Sequence, residues 1–295
     1  MSISFQCPHC YCAYILDDHC AGRLLPCRQC GRQILAPRGT AQTDPGGFAL
    51  GESHITRQVE KAAMPTLFPT PTRFLNQISR HLDRTIGPSP MVFHEIVSTD
   101  IHLDLHIVPP QPGRPTPDHP HGRNFYTIVT SGMSTRPMTL PSGADPECPR
   151  YAELMITLPA HWPGLRPDGT FVQEDMQDEN NWWPIRWLKM IARLPHEHAT
   201  YVGAGHTMPN GPQGEPFSVS THLGCMLAQP SVLDPKADRL VVHDDLTIAF
   251  LALWPIYPEE MALKLHQGAD ALMDRFHRAG ITDLINPQRK NVAAP

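Results

Sequence analysis

The sequence predicts an α+β fold: a mixed sheet with a few flanking helices, preceded by a small cysteine-rich module. Three observations predict it. Proline supplies 33 of the 295 residues, about twice the usual share of ~5%. Each proline removes a backbone donor and biases the residue before it away from helix, which excludes a long-helix bundle. Short apolar runs and one strictly alternating run recur along the chain, interrupted by only three helical patterns, a distribution that fits α+β better than a doubly wound sheet. Six of the eight cysteines fall within the first 30 residues. A hydrophobic share of 41% is enough to bury a sizeable core.

The cysteines mark the first module. Cys7-Pro-His-Cys10 and Cys27-Arg-Gln-Cys30 are two C-x-x-C pairs separated by sixteen residues. Four thiolates at this spacing can close tetrahedrally around one structural Zn²⁺ at about 2.3 Å. The expected ligands are therefore Cys7, Cys10, Cys27 and Cys30. Cys12, Cys20, His9 and His19 are alternative ligands, ranked lower because Cys12 and Cys20 belong to no second C-x-x-C pair. Such a closed site leaves no position for substrate, so the metal is expected to stabilise rather than catalyse. The segment from Ile3 to Pro37 resembles the small zinc ribbons at the N-terminus of many bacterial multidomain proteins, although Tyr11 stands where glycine is common. Its four arginines up to Arg38 against Asp17 and Asp18 are too few for a strong phosphate-binding surface. Protein contact or a spacer role is expected instead.

From Arg38 to Ser53 the chain is rich in Gly, Thr, Ser and Ala without periodicity, and Met64 to Thr72 is a Pro/Thr stretch. The expected organisation is a ribbon over 1–37, a linker over 38–71 and a main domain over 72–295.

Within the main domain, Phe74, Leu75, Ile78, Leu82 and Ile86 share one helical face, with Thr72 as candidate N-cap and Gly87 as the stop. Met91 to Val97 is a short apolar run. Asp100 to Val108 alternates strictly, with Ile101, Leu103, Leu105 and Ile107 on one face and Asp100, His102, Asp104 and His106 on the other. Phe125 to Thr130 and Tyr151 to Leu158 read as further strands. Trp182 to Leu194 reads as a helix with Pro184 in its first turn and Pro195 past its end. His222 to Gln229, Arg239 to His243 and Leu246 to Leu253 complete the strands. A single helix from Pro258 to Ala279 closes the chain, with Met261, Leu265, Leu272 and Phe276 as its stripe and Gly280 as its cap.

The motifs FHEIVSTDIHLDLHIVPP from Phe93, YTIVTSGMSTRPM, RYAELMITLP, WWPIRWLKMIARLPHEH, GHTMPNG and EEMALKLHQGADALMDRF occur in that order between His81 and Asn291. In this succession the chain resembles the suppressor-of-fused domain family. The resemblance implies a suppressor-of-fused-like mixed sheet used to bind protein. Animal members hold transcription factors inactive, and many bacterial members are immunity proteins that neutralise partner toxins. Two departures stand out: a longer Pro/His-rich excursion from Gln111 to Asn124, and a chain end just past the match, without the second lobe with which animal members clamp their partner.

Several clusters carry rival readings. The Asp100/His102/Asp104/His106 face can ligate metal, with Asp118, His119 and His121 as added ligands; the expectation is a hydrated or hydrogen-bonded face of a half-buried sheet and a stiff exposed proline loop. Trp182, Trp183 and Trp187 suit an interface, but Trp183 and Trp187 fit the core better at i and i+4. Arg186, Lys189 and Arg193 are expected on the solvated edge of their helix. Cys225 is expected to be an inert buried thiol, and Cys148 is isolated. No G-x-S-x-G, Walker A or H-E-x-x-H pattern occurs, so no enzyme is expected. The longest charge-free apolar run, Leu246 to Tyr257, spans 12 residues, short of the roughly 20 a membrane span needs. With no export signal in MSISFQCPHC, the expected location is cytoplasmic.

The expectation is therefore a protein-binding module. Its expected partner is a protein, most plausibly a toxin whose functional site it occludes; the rival is a regulator that sequesters a transcription factor or signalling protein. The formal charge of −5 disfavours nucleic acid and favours basic partners.

Overall fold

The structure, a computed structural model, describes residues 2–6, 13–17, 23–27, 33–35, 46–48, 54–56, 73–95, 98, 101–144 and 148–293. The chain divides into two compact units, 1–57 and 58–295.

The first unit holds three antiparallel hairpins: β1 (Ser2–Gln6) with β2 (Ala13–Asp17), β3 (Leu24–Pro26) with β4 (Gln33–Leu35), and β5 (Gly46–Phe48) with β6 (His54–Thr56). Each C-x-x-C pair falls in sequence between the strands of one hairpin. Cys27, just past β3, is buried; Cys7, Cys10 and Cys30 lie outside the described residues. The third hairpin occupies part of the stretch expected as linker, where Gly46 and Gly47 pair with Thr56 and Ile55 without any apolar periodicity to announce them.

The second unit is built on an eight-stranded mixed sheet. It contains β7 (Met91–Phe93), β8 (Asp104–Val108), β11 (Phe125–Ser131), β12 (Tyr151–Pro159), β13 (Thr207–Pro209), β14 (Cys225–Gln229), β15 (Arg239–His243) and β16 (Leu246–Ile256). The order is β13-β14-β16-β12-β11-β8-β7, with β15 also on β16. Only the β12–β16 pair is parallel among them; β9 (Gln111–Pro112) and β10 (Gly122–Arg123) form a separate two-stranded pair.

Helices cover both faces. On one side α2 (Glu179–Glu197) packs Trp183, Trp187, Leu188 and Ile191 against Leu105, Ile107, Ile128 and Leu154. On the other, α1 (Leu75–Thr85), α3 (Pro258–Gln267) and α4 (Ala269–Ala279) bring Ile78, Leu82, Leu263, Leu272 and Phe276 onto Val108, Met155, Phe250 and Trp254. Strands covered on both sides are buried throughout, so β8 is not the half-buried strand its alternation implied.

Four boundaries differ from the sequence reading for local reasons. The β8 ladder starts at Asp104 rather than Asp100, because the Leu103 N–H donates to the Glu95 carboxylate at 3.3 Å. The second helix is longer than expected at both ends: the Asp178 side chain caps it by accepting from the Asn180 N–H at 2.9 Å, and both Pro184 and Pro195 lie inside it. Burial of the tryptophan face outweighs the backbone bonds those prolines forgo. The last helix is two, because Gly268 adopts φ 88° and ψ 165°, which only glycine tolerates readily. The break resets the helical phase, so Leu263 is buried in α3 where Leu265 was expected. For α1 the N-cap is Phe74, with no side-chain cap, and Thr72 lies outside the described residues.

Candidate functional site

The strand face that reads as a metal site folds into an internal polar network. Asp104 is buried on β8 and its Oδ1 meets His102 Nε2 at 2.9 Å and His94 Nδ1 at 3.1 Å. The β7–β8 register continues from Phe93 opposite Leu105, which sets His94 opposite Asp104. On the other side of β8, Ser131 pairs with Asp104 and bonds His106 Nε2 at 3.1 Å. His102 Nδ1 meets Ser98 Oγ at 3.1 Å, and Ser98 also donates to Glu95 Oε2 at 3.0 Å. Ser98, His102 and Asp104 have the order of a nucleophilic relay, but Ser98 is buried and its hydroxyl is shared with Glu95, so it presents no nucleophile to solvent. Asp100 lies outside the described residues. Among those described, no group of three or more His, Cys, Asp or Glu side chains is arranged to hold a metal ion.

His106 is fully buried, and its Nδ1 has no hydrogen-bond partner among the described residues. Burial pulls its pKa down to about 4, with Asp104 only partly opposing the shift. The imidazole is therefore neutral at ordinary pH and serves as a packed hydrogen-bonding group.

Glu95 ties this network to α2. Lys189 Nζ lies 2.6 Å from Glu95 Oε1, and Arg193 Nη2 lies 2.5 Å from both carboxylate oxygens. Burial alone would raise the Glu95 carboxyl, but hydrogen bonds and charge from Lys189 and Arg193 outweigh it and hold it below the ordinary value. Arg186 pairs with Glu179. The basic stripe is thus not a solvated edge: Lys189 and Arg193 are largely buried in an ion-pair cluster, and all three cations are already engaged.

The excursion after β9 is exposed along most of its length but anchored. Asp118 pairs with Lys236 at 2.5 Å, and His119 is turned in to 3.5 Å from the buried Asp234. Arg123 grips Asp234 with Nε at 3.2 Å and Nη2 at 2.8 Å, and Thr127 Oγ1 donates to the same carboxylate at 2.7 Å. The polarity expected to be incidental therefore fastens the loop; of the three candidate extra ligands His119 is turned inward, while Asp118 and His121 stay exposed.

Other buried acids have similar structural roles. Glu153 accepts from Thr130 Oγ1, Ser134 Oγ and the N–H groups of Gly132 and Ser134. Glu260 holds Arg289 and the N–H groups of Tyr257 and Val292, fastening the C-terminal segment over α3. Apart from the Tyr257 N–H, which Glu260 caps from three residues on at the start of α3, these partners are far apart in sequence and nothing in the local pattern announces them.

Trp183 and Trp187 are buried around Phe217, at ring-centroid distances of 5.0 and 4.8 Å. Trp182 is half-buried at the margin of the same core cluster. It meets Phe171 edge-on at 6.4 Å, and Phe171 meets Phe93 edge-on at 5.2 Å, a row from β7 to the first turn of α2. Cys225 is buried, and burial pushes its thiol up to about 12, which leaves it inert. Cys148 lines a surface cavity of about 630 Å³ with Met138, Leu140, Pro141 and Arg150. No helix among the described residues is long and apolar enough to cross a membrane.

The comparisons with known proteins agree with this fold. The profile of the suppressor of fused protein (SUFU) family matches residues 99–290. A crystal structure of a SUFU homologue from Neisseria gonorrhoeae superposes with a TM-score of 0.51 at 15% identity, covering 75% of this chain and 98% of that one. The Sufu–Fu complex crystal structure gives 0.51 at 15% identity, with 76% and 93% covered. At such identity the two structures speak to the fold. No curated protein matches the chain. The family match spans more than half of the sequence and nearly the whole sheet, and the chain belongs to the suppressor of fused family.

Proposed function

We propose that this chain is an immunity protein that binds a partner toxin and neutralises it by occluding its functional site. The observation that carries the reading is the family match over residues 99–290, since suppressor-of-fused domains are protein-interaction domains. The polar clusters support it: Asp104, Glu95, Asp234 and Glu260 are each held by groups of the fold itself. A net charge of −5 favours a basic partner such as a nuclease.

The test is affinity capture with the tagged full chain at moderate salt, followed by an activity assay on the protein captured. One stoichiometric partner with a toxin domain, inhibited as this chain is added, is the expected result. A captured partner whose activity is unchanged would contradict immunity and leave the second reading, sequestration of a regulatory protein. The Sufu–Fu complex, a structure of a related chain with another protein, favours that alternative.

The N-terminal module is assigned one structural Zn²⁺ on Cys7, Cys10, Cys27 and Cys30. Elemental analysis of the purified chain is expected to find one equivalent of zinc, lost when Cys7 and Cys27 are changed to serine. A folded first unit without metal would remove the assignment.

A further inference from the structure

The corner between β7 and the start of α2 leaves apolar surface open where the rest of the sheet is covered. Met91 and Phe93, two residues apart on the same side of the strand, are 36% and 40% exposed. Their strand partners Ile107 and Leu105 lie under α2 in the core, so the sheet extends beyond the cover of the helix. β7 ends the strand order, and its outer backbone groups meet no further strand among the described residues. Natural edge strands usually carry lysine, proline or a bulge against unwanted pairing. Here Pro88 and Pro90 shorten the edge, but Met91-Val92-Phe93 itself carries no charge.

The aromatic row from Phe93 through Phe171 to Trp182 continues this surface to the first turn of α2. Exposed acids stand beside it: Glu174, Asp175, Asp178 and Glu179. Two have structural roles, Asp178 as the N-cap and Glu179 as the partner of Arg186. Glu174 and Asp175 have no side-chain partner among the described residues. Arg186, the nearest cation along α2, is already held, so the rim of the aromatic row keeps a net negative field.

We propose that this corner is the docking surface for an extended, basic segment of the protein partner. The segment's backbone pairs with β7, and apolar side chains at every second position rest on Met91, Phe93 and the aromatic row. Its lysines or arginines face Glu174 and Asp175. Edge pairing supplies backbone hydrogen bonds, alternate side chains supply specificity, and half-buried aromatics within a polar rim are the usual anchors of an interface. The proposal rests on the protein-binding reading and adds to it a surface and a partner chemistry.

The probe is a short peptide of alternating valine and lysine, ended with proline to prevent self-pairing, with a valine–glutamate peptide as its opposite. Each is titrated into the isotopically labelled full chain at low salt while amide and indole resonances are followed. The lysine peptide is expected to move the amides of β7 and the Trp182 indole, and the glutamate peptide to leave them in place. Reversing the rim with Glu174→Lys and Asp175→Lys, or removing the anchor with Phe93→Ala, is expected to weaken binding by about tenfold or more. No binding at millimolar peptide, shifts confined to another surface, or equal response to both peptides would overturn the proposal. Capture of the natural partner distinguishes this failure from a deeper one. If the rim-reversed chain captures it as well as the wild type, the surface is wrong and the binding reading stands; if the wild type captures nothing, that reading fails first.

Discussion

Strand β8 and the β7–α2 corner are neighbours with opposite characters. β8 carries the chemistry-rich residues, Asp104 and His106 with His102 just before them, and every one is turned to a partner inside the fold. The corner carries ordinary residues, Met91, Phe93, Phe171 and Trp182, and leaves them partly open beside exposed acids. A concentration of ionisable side chains marks a place where burial had to be compensated. Uncovered apolar surface at a sheet edge, by contrast, stabilises nothing in the isolated chain and is the better indicator of a partner.

If the polar clusters are structural, breaking one must cost stability. The largest effect is expected at the buried Arg123–Asp234 pair. Asp234→Ala leaves a buried guanidinium uncompensated and should lower unfolding stability by about 3–5 kcal/mol in urea denaturation. A loss under about 1 kcal/mol would show that water reaches the site, and the contrast with the corner would weaken.

The next effect is pH-dependent and belongs to His106. Its folded pKa of about 4 lies below the ordinary histidine value of 6.5, so the unfolded chain takes up the proton first as pH falls. This contribution to stability is fully present above about pH 6.5 and is lost as the pH drops towards 4, a change on the order of 3 kcal/mol. Denaturation curves across that range should show a slope that His106→Gln reduces. An unchanged slope in the variant would return the histidine to the list of free titrating groups.

The smallest effect is expected at the corner. Phe93→Ala loses one edge-on aromatic contact and should cost about 1 kcal/mol of stability. Partner binding should fall far more than stability does. A variant that unfolds as readily as it loses its partner would make Phe93 a core residue instead.

Much of the fold is legible in the sequence because its signals are local. Short runs rich in apolar and β-branched residues mark β11, β12 and β15, and the stripe of α1 is visible in Ile78 and Leu82. The inertness of Cys225 and the burial of Trp183 and Trp187 follow from their apolar surroundings. What escapes is long-range. Glu95 meets Arg193 across 98 positions and Arg123 meets Asp234 across 111, so a stripe that reads as solvated becomes an ion-pair cluster. Gly268 escapes for another reason: a periodic pattern can cross a glycine without revealing whether the backbone turns there. The proposed zinc ligands rest on spacing alone, since Cys7, Cys10 and Cys30 lie outside the described residues.

The most direct test of the account is a hydrogen-exchange footprint of the full chain with and without its captured partner. Protection gained at β7 and across residues 171–182, with the β8 amides already slow in the free chain, is the predicted result. Protection that spares the corner and falls elsewhere on the sheet or on α3 and α4 would contradict it.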